Sequence, residues 1–151
     1  MIVGVEVKDL KVIYDDRGHL VEILRCDDKI FKKFGQVYIT TAKKGIIKAW
    51  HYHKKQDDYF CCIFGKILLA LYDARKSSKT FGQIMEWNLS LENLKLIKIP
   101  KRVYHGFKGL SKEEAIVINI PTRPYNHKEP DEYRVDPFTK EIPYNWNSRE
   151  I

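Results

Sequence analysis

Long apolar runs, C-x-x-C motifs and leader-like signals are missing from this sequence of 151 residues. No stretch approaches the roughly 20 apolar residues that a membrane-spanning helix requires, so we expect no membrane partner. The opening residues, MIVGVEVKDL, carry an acid early and no basic start, which argues against a secretory signal. Three cysteines without a C-x-x-C pair argue against a zinc ribbon and favour the reducing cytoplasm.

The chain is basic, with a formal net charge of +7. Its Lys and Arg residues are spread along the sequence, and aromatic residues do not interleave with them as in nucleic-acid-binding motifs. We therefore expect no nucleic-acid partner. A solvated surface explains the charge most simply, and an anionic small-molecule ligand is the alternative. The proportions of apolar and charged residues, 44% and 31%, predict one globular domain over 1–151.

Short strand-like stretches separated by turn residues dominate the sequence. They recur about every 8–12 residues, which is typical of β-sandwiches and barrels, so the predicted fold class is all-β. The predicted strands are 19–25, 36–42, 46–53, 58–64, 66–73, 82–88, 94–100, 103–109 and 115–121. Two hairpins are expected, one between 46–53 and the strand that begins at Asp58, and a tight one at Gly65. The one helical candidate is the weak pattern at 28–34.

The segment 121–151 is rich in proline and polar residues, which disfavours strand interiors. It also carries aromatic residues that would be poorly placed in a loose tail. We expect an extended wrap around the barrel or a partner subunit, anchored by these aromatic side chains. They are Tyr125, Tyr133, Phe138, Tyr144 and Trp146.

Two histidines lie two residues apart in IIKAWHYHKKQDDYF, residues 46–60. Side chains two apart on a strand share a face, so His51 and His53 are expected to point the same way. One of the two aspartates that follow can face them from the next strand. His105 is a third histidine on a predicted strand, and Gly106 beside it permits a close backbone approach. The pattern allows either proton transfer or metal binding.

Two stretches resemble the sequence motifs of the cupin superfamily. The first runs from Gly45 through His51-x-His53 to Asp58 and Gly65, and the second runs from Pro100 to His105. The resemblance implies a cupin barrel, also called a double-stranded β-helix or jelly roll, with few or no helices. It also raises a metal alternative, in which a divalent transition metal would be bound by His51, His53, Asp58 and His105.

A more specific resemblance extends over nearly the whole chain and is to the dTDP-4-dehydrorhamnose 3,5-epimerase family. The stretches that carry it are Asp16-Arg17-Gly18 with Glu22, Gln36-Val37, His51, Gly65, Asp73-Ala74-Arg75 with Ser77, Thr80-Phe81-Gly82, Ile99-Pro100, His105-Gly106-Phe107, Pro124-Tyr125-Asn126 and Tyr144-Asn145-Trp146. The resemblance implies an isomerase that acts on a nucleotide-linked 4-keto-6-deoxy sugar in surface polysaccharide biosynthesis and that needs no metal or other cofactor.

The resemblance also implies roles for individual residues. His51 stands in the place of the base that removes the proton beside the ketone, a role that suits imidazole near neutral pH. His105 stands near the developing enolate oxygen. Gln36 and Lys48 resemble contacts to the nucleotide base and the phosphates.

Two further binding residues, Arg17 and Glu22, resemble residues that reach the nucleotide site of a neighbouring subunit. The family forms dimers by exchange of an N-terminal strand. The resemblance therefore implies that the partner of this chain is a second copy, in a homodimer.

Departures from the family pattern concern the chemistry. Asn119 stands where the proton-donating tyrosine is expected, and an amide can only form hydrogen bonds, to a sugar hydroxyl or the keto oxygen. Tyr125 is the candidate replacement as proton donor, and the alternative is that it only lines the sugar site. His53 stands where an amide is usual, and Asp58 where a basic residue is usual. Either one is a candidate to orient His51, since residues 1–151 offer no match to the family's C-terminal aspartate.

These departures leave the reaction open between 3,5-epimerisation, epimerisation at a single carbon and ketoisomerisation. Two other classes also remain open. One is a metal-dependent cupin that uses the four ligands named above. The other is a protein that binds a sugar nucleotide in the same pocket without catalysis.

Overall fold

A computed structural model describes residues 1–148 as an all-β protein, as the sequence predicts. Within these residues there are twelve strands and no helix, and hence no helix that is long and apolar enough to cross a membrane. The strands are β1 (Glu6–Asp9), β2 (Val12–Asp15), β3 (Gly18–Val21), β4 (Tyr38–Ala42), β5 (Ile47–Tyr52), β6 (Asp58–Phe64), β7 (Lys66–Tyr72), β8 (Ile84–Ser90), β9 (Lys95–Ile99), β10 (Tyr104–Gly109), β11 (Ala115–Asn119) and β12 (Tyr133–Arg134).

Two five-stranded antiparallel sheets form the body of the protein. The first sheet has the order β1-β9-β6-β11-β4, and the second has the order β12-β5-β10-β7-β8. Strands β2 and β3 form a separate hairpin. The main apolar cluster joins side chains of both sheets, such as Phe60 and Cys62 from the first and Leu69 and Phe107 from the second. The core therefore lies between the sheets, and the burial of these side chains holds the two sheets together.

Both predicted hairpins are wrong, because the chain changes sheets at each of the two turns. Strand β5 pairs with β10 and β12, whereas β6 pairs with β9 and β11, and β7 lies in the second sheet. The connection between β5 and β6 is held where Thr122 accepts a hydrogen bond from the Asp57 amide at 3.0 Å. At Gly65 the backbone has φ +69°, and a Cβ there would lie 2.9 Å from the Cα of Ala115. Glycine thus allows the sharp crossing from β6 to β7.

The helix considered at 28–34 is not formed. The Tyr59 hydroxyl accepts a hydrogen bond from the Lys32 amide at 2.7 Å and donates one to the Ile30 carbonyl at 2.8 Å. These bonds satisfy backbone groups that a helix would pair internally. Three short strands, β1, β2 and β12, were missed because their largely exposed side chains lack a clear alternation of apolar and polar residues.

The described part of the C-terminal segment packs on the outer face of the second sheet. Strand β12 pairs with β5, and the ring of Trp146 lies 5.0 Å from that of Trp50, with both side chains buried. Tyr144 packs edge-on against Trp50 at 5.6 Å. Phe138 and Tyr125 are 60% and 45% exposed, so these two rings do not anchor the segment on its own barrel, and their contact with a partner subunit stays a prediction. Polar neighbours in the proline-rich stretches leave these two rings at the surface.

Candidate active site

A cavity of about 1040 Å³ opens between the two sheets. One wall comes from β4 and β11 of the first sheet, and the opposite wall comes from β5 and β10 of the second, while segments 33–36 and 123–132 complete the lining. The volume is at the upper end of the range, about 300–1,000 Å³, that is usual for small-molecule sites. Seven predicted site residues line it, namely Gln36, Lys48, His51, His53, His105, Asn119 and Tyr125.

The pairing of β5 with β10 brings two of the histidines together. His51 and His105 are direct partners in this register, and their ring centroids are 6.2 Å apart. Gly106 makes the close approach possible, since a Cβ at this position would lie 2.3 Å from the Cβ of Ala49. Directly opposite residues of an antiparallel pair project to the same face, so the His105 ring lies on the same side as that of His51. His53 lies on that side too, so the predicted common face of the two histidines on β5 is observed.

Asp58 contacts this group from the opposite sheet. Its carboxylate is buried, with Oδ2 at 3.1 Å from His53 Nε2 and at 3.6 Å from His105 Nε2. Its Oδ1 accepts a hydrogen bond from Gln56 Nε2 at 2.9 Å. Both histidine nitrogens lie within ion-pair distance of Oδ2, but within residues 1–148 no donor is aligned to form a hydrogen bond with this oxygen. On its other side, the His53 ring contacts the Asp131 carbonyl through Nδ1.

The pKa values of this cluster separate its members into charged and neutral groups. Burial alone would lower the pKa of His53, but Asp58 and the Asp131 carbonyl raise it to about 9. Burial would likewise raise the pKa of Asp58, but His53 and His105 keep it below its usual value. The pair is therefore an imidazolium and a carboxylate at neutral pH. Burial lowers the pKa of His105 to about 4, against the opposing effect of Asp58, so His105 is neutral.

His51 has a different carboxylate partner. Glu132 Oε1 lies 3.5 Å from His51 Nδ1, and Arg134 holds the same oxygen at 2.8 Å. Burial lowers the pKa of His51, and Glu132 opposes this shift. His51 is thus neutral at pH 7, and a proton on Nδ1, facing Glu132, leaves the Nε2 lone pair to accept a proton.

The sequence pointed to the wrong orienting residue for His51. Asp58 contacts His53 and His105, not His51, because it projects from the first sheet and not from a hairpin partner of β5. Glu132 was missed because it lies in the proline-rich tail, just before β12. The signal that could have revealed it is the short run Glu132-Tyr133-Arg134, which pairs with β5 beside His51.

Tyr38 was also missed, although it lies inside a predicted strand. It is opposite Asn119 in the pairing of β4 with β11, and Asn119 Nδ2 donates a hydrogen bond to its hydroxyl at 2.8 Å. Burial raises the pKa of Tyr38 to about 12, and the charge of Asp58 adds to this shift, so the phenol is neutral. A β-strand can carry a tyrosine for packing alone, so nothing in the sequence distinguishes Tyr38 as a site residue.

Cationic side chains outnumber the acidic ones, Glu129, Asp131 and Glu132, in the lining of the cavity, which favours an anionic ligand. The cationic side chains are Lys33, Lys48, Lys55, Arg123 and Arg134, in addition to the protonated His53. Lys48 Nζ donates to Thr40 at 3.0 Å, and Gln36 accepts a hydrogen bond from the Tyr125 amide at 3.0 Å. The lysine and arginine side chains can bind phosphate oxygens as point charges, and the Gln36 amide can donate a hydrogen bond to them.

The structure does not bring Arg17 and Glu22 to this cavity. Arg17 is exposed at the β2–β3 turn and pairs with Asp15, and Glu22 pairs with Arg25 at 3.0 Å. Their predicted contact with the nucleotide site of a second subunit remains a prediction.

The proposed four-ligand metal set is only partly assembled. The candidate donor atoms of His53, Asp58 and His105 lie within 4.8 Å of one another, and His51 is not a member of this group. His51 instead contacts Glu132, which the pairing of β12 with β5 brings beside it. The unaligned Oδ2 of Asp58, flanked by two Nε2 atoms, fits a small divalent cation as well as it fits the imidazolium.

Comparisons with known proteins identify the family of this chain. Residues 1–151 match the family model of dTDP-4-dehydrorhamnose 3,5-epimerase. The spore coat polysaccharide biosynthesis protein SpsL of Bacillus subtilis is 39% identical over 148 residues, covering 98% of each chain. The probable low-salt glycan biosynthesis epimerase Agl13 of Haloferax volcanii is 38% identical over 146 residues, covering 95% of this chain and 94% of its own. The crystal structure of a dTDP sugar isomerase from Desulfovibrio desulfuricans superposes with a TM-score of 0.93 at 27% identity, covering 99% of this chain and 94% of that one. With its two-sheet barrel and histidine-lined cavity, this chain belongs to the dTDP-4-dehydrorhamnose 3,5-epimerase family of isomerases.

Proposed function

We propose that this protein epimerises a dTDP-linked 4-keto-6-deoxy sugar for a surface polysaccharide or glycan, with His51 as the base. The observation that carries the proposal is the neutral His51 imidazole, held by Glu132 at 3.5 Å in a cavity with a cationic lining. The names of the relatives, which refer to spore coat polysaccharide and glycan biosynthesis, support the same pathway class.

Proton removal begins the reaction. The Nε2 lone pair of His51 takes the proton from the carbon beside the ketone, which becomes an enolate. Burial keeps the imidazole neutral and ready to accept a proton, and Glu132 stabilises the imidazolium that forms. His51 is neutral before the step and charged after it. The Glu132 carboxylate therefore stabilises the transition state, in which this charge develops, more than it stabilises the bound substrate.

Charge on the enolate oxygen needs a donor or a positive field. His105 lies beside His51 as a neutral imidazole, with Nδ1 at 3.3 Å from the Val103 carbonyl and Nε2 at 3.6 Å from Asp58 Oδ2. With its one proton on Nε2, this ring would turn from the longer contact, to Asp58, to donate to the enolate oxygen. The imidazolium of His53, with its ring 5.6 Å from that of His105, adds positive charge in a buried setting where it is weakly screened. Lys48 and Gln36 would bind the nucleotide part of the substrate.

The proposed reaction is tested by deuterium incorporation. The purified protein is incubated with dTDP-4-keto-6-deoxyglucose in D₂O, and mass spectrometry and proton NMR follow the carbons that flank the ketone. We expect protein-dependent uptake at one or both carbons with inversion, unaffected by a chelator. Uptake at one carbon identifies a single-carbon epimerase, and migration of the ketone identifies a ketoisomerase. Binding without uptake would instead identify a non-catalytic protein that binds a sugar nucleotide.

Replacing Glu132 by glutamine should lower kcat by about 10- to 100-fold, because misplacement of a catalytic group by about 1 Å can cost 10²-fold. Glu132 raises the pKa of His51, so its removal should also move the acid limb of the pH–rate profile to lower pH. The measurement is kcat against pH. Glu129→Gln is the matched control, since Glu129 lines the same cavity but pairs with Lys55. An unshifted acid limb in Glu132→Gln would show that this carboxylate does not act on His51.

The alternative to the ion pair of His53 with Asp58 is a bound divalent transition metal. It would be bound by His53, Asp58 and His105, and it would supply Lewis-acid polarisation of the ketone. Metal analysis of protein purified in metal-poor buffer distinguishes the two cases. We propose the metal-free site, because the His53 imidazolium already neutralises Asp58.

We further propose a cytoplasmic homodimer that forms through the N-terminal hairpin. Ile13, Tyr14 and Leu20 of β2 and β3 expose 49%, 67% and 57% of their surfaces, which is unusual for three large apolar residues on one hairpin. Their burial against a second copy would bring Arg17 towards the partner's cavity. Sedimentation velocity tests the dimer, and an unchanged KM in Arg17→Ala would argue against a shared nucleotide site.

A further inference from the structure

We infer that Tyr38 is the catalytic acid that delivers a proton to the enolate on the face opposite His51. This inference rests on the proposed function and extends it to the step that inverts the carbon. It assigns the proton donor that neither Asn119 nor the sequence alone supplies. Tyr38 lines the same cavity as His51.

The two residues lie on opposite walls of the cavity. Tyr38 belongs to β4 in the first sheet, and His51 belongs to β5 in the second. Inversion at a carbon requires that one face loses a proton and the other face gains one. A planar enolate between the two walls would present one face to the imidazole and the other face to the phenol. The topology of the barrel thus separates the base and the acid as the stereochemistry requires.

Asn119 holds the phenol in a useful orientation. Its Nδ2 donates to the Tyr38 hydroxyl at 2.8 Å, so the hydroxyl accepts this bond and keeps its own proton to donate elsewhere. Asn119 is buried, and its Oδ1 has no hydrogen-bond partner within residues 1–148. A buried acceptor without a partner at a cavity wall points to a ligand donor, such as a sugar hydroxyl.

The proton balance of the step is complete. The enolate carbon forms a C–H bond with the Tyr38 proton as the O–H bond breaks, and the negative charge passes to the phenolate. Water then returns a proton to the phenolate, and the His51 imidazolium releases the abstracted proton to water. The raised pKa of Tyr38, about 12, keeps the phenol protonated before the step. A phenol remains a stronger acid than the C–H group that it forms, so the transfer is favourable.

Tyr125, the donor considered from the sequence, is less well fixed. Its exposure, 45%, is close to that of Tyr38, 41%, so exposure does not distinguish the two, and its ring packs edge-on against His127 at 4.8 Å. Its hydroxyl has no hydrogen-bond partner in the described part of the chain, 1–148, and only its backbone amide is held, by Gln36. A hydroxyl without such a partner is less well positioned than that of Tyr38 to deliver a proton to one face of a bound enolate.

The test compares Tyr38→Phe with Tyr125→Phe in the same deuterium assay, with exchange and inversion followed separately. In Tyr38→Phe, His51 should still exchange the substrate proton with solvent, within about tenfold of the wild-type rate. Inversion should fall by about 10²–10⁴-fold, the usual contribution of general acid catalysis. Tyr125→Phe should leave the ratio of inversion to exchange unchanged. Thermal unfolding of both variants checks that the fold is retained.

Inversion by Tyr38→Phe at the wild-type rate would overturn this inference and leave the proposed function intact. Loss of inversion in Tyr125→Phe but not in Tyr38→Phe would do the same. Loss of exchange together with inversion in a folded Tyr38→Phe would also overturn it, because Tyr38 would then serve substrate binding. A wild-type protein that shows no exchange would overturn the proposed function, and this inference with it. A ketone that migrates without inversion would overturn the inference and leave His51 as the base.

Discussion

Replacing His51 by asparagine is expected to reduce deuterium uptake and product formation by about 10²–10⁴-fold, the usual contribution of a general base. Asparagine keeps a polar side chain of similar size but cannot accept a proton near neutral pH. Because burial lowers the pKa of His51, the wild-type rate should stay constant as pH falls from 8 towards about 6.5, the unperturbed value, and decline only below it. The measurements are the initial rate of deuterium uptake and its pH profile.

His127→Asn is the matched control, since His127 is exposed, lies outside the β2–β3 hairpin and does not line the cavity. It should leave uptake unchanged. Both variants should unfold at the wild-type temperature, because His51 is only partly buried and makes one ion-pair contact, with Glu132. Undiminished uptake in His51→Asn would mean that another group, such as the neutral His105, removes the proton.

The sequence predicts those parts of the site that depend on the periodicity of single strands. Alternation along β5 placed His51 and His53 on one face, and this holds because both side chains line the cavity. Most predicted strands were found, with ends that differ by a few residues. These features follow from local geometry, which a strand imposes on any sequence with the right pattern.

The parts that were not predicted depend on how strands are assigned to sheets. Asp58 was expected to face the histidines from a hairpin partner, but it reaches them from the opposite sheet. Glu132 and Tyr38 meet the site only because β12 pairs with β5 and β4 pairs with β11, far apart in the chain. Register between distant strands is set by the whole core, so neighbouring residues carry little information about it.

This difference explains why the base was easier to identify than the groups that assist it. The base lies within a motif of adjacent residues, whereas its orienting carboxylate and the proposed acid come from separate strands. The departures from the family pattern, Asn119 and Asp58, marked the right region of the site. Asn119 leads to Tyr38 through a hydrogen bond, and Asp58 leads to His53 through an ion pair, and neither contact can be derived without the structure.

Replacing Asp58 by asparagine is expected to lower the free energy of unfolding by about 3–5 kcal/mol, the usual cost of removing one partner of a buried ion pair. The substitution leaves the partly buried His53 ring without the buried carboxylate that stabilises its charge. Chemical denaturation at pH 6 measures the loss. Asp16→Asn, at an exposed turn, should change stability by less than about 0.5 kcal/mol. The double variant His53→Gln with Asp58→Asn should lose less than the sum of the single variants, since it removes both charges.

The pH dependence of the stability lost in Asp58→Asn shows whether the ion pair of Asp58 with His53 is its cause. The folded-state pKa of His53 is raised to about 9, so its stabilising contribution is complete below its unfolded value near 6.5 and is lost as pH rises through 9. The pKa of Asp58 is lowered, so its contribution is present above its unfolded value near 3.9 and is lost as pH falls through the folded-state pKa. The difference in stability between wild type and Asp58→Asn should therefore be largest between about pH 4 and 6.5 and shrink towards pH 9. A difference that persists at pH 9 and disappears on treatment with a chelator would instead identify a bound cation at His53, Asp58 and His105.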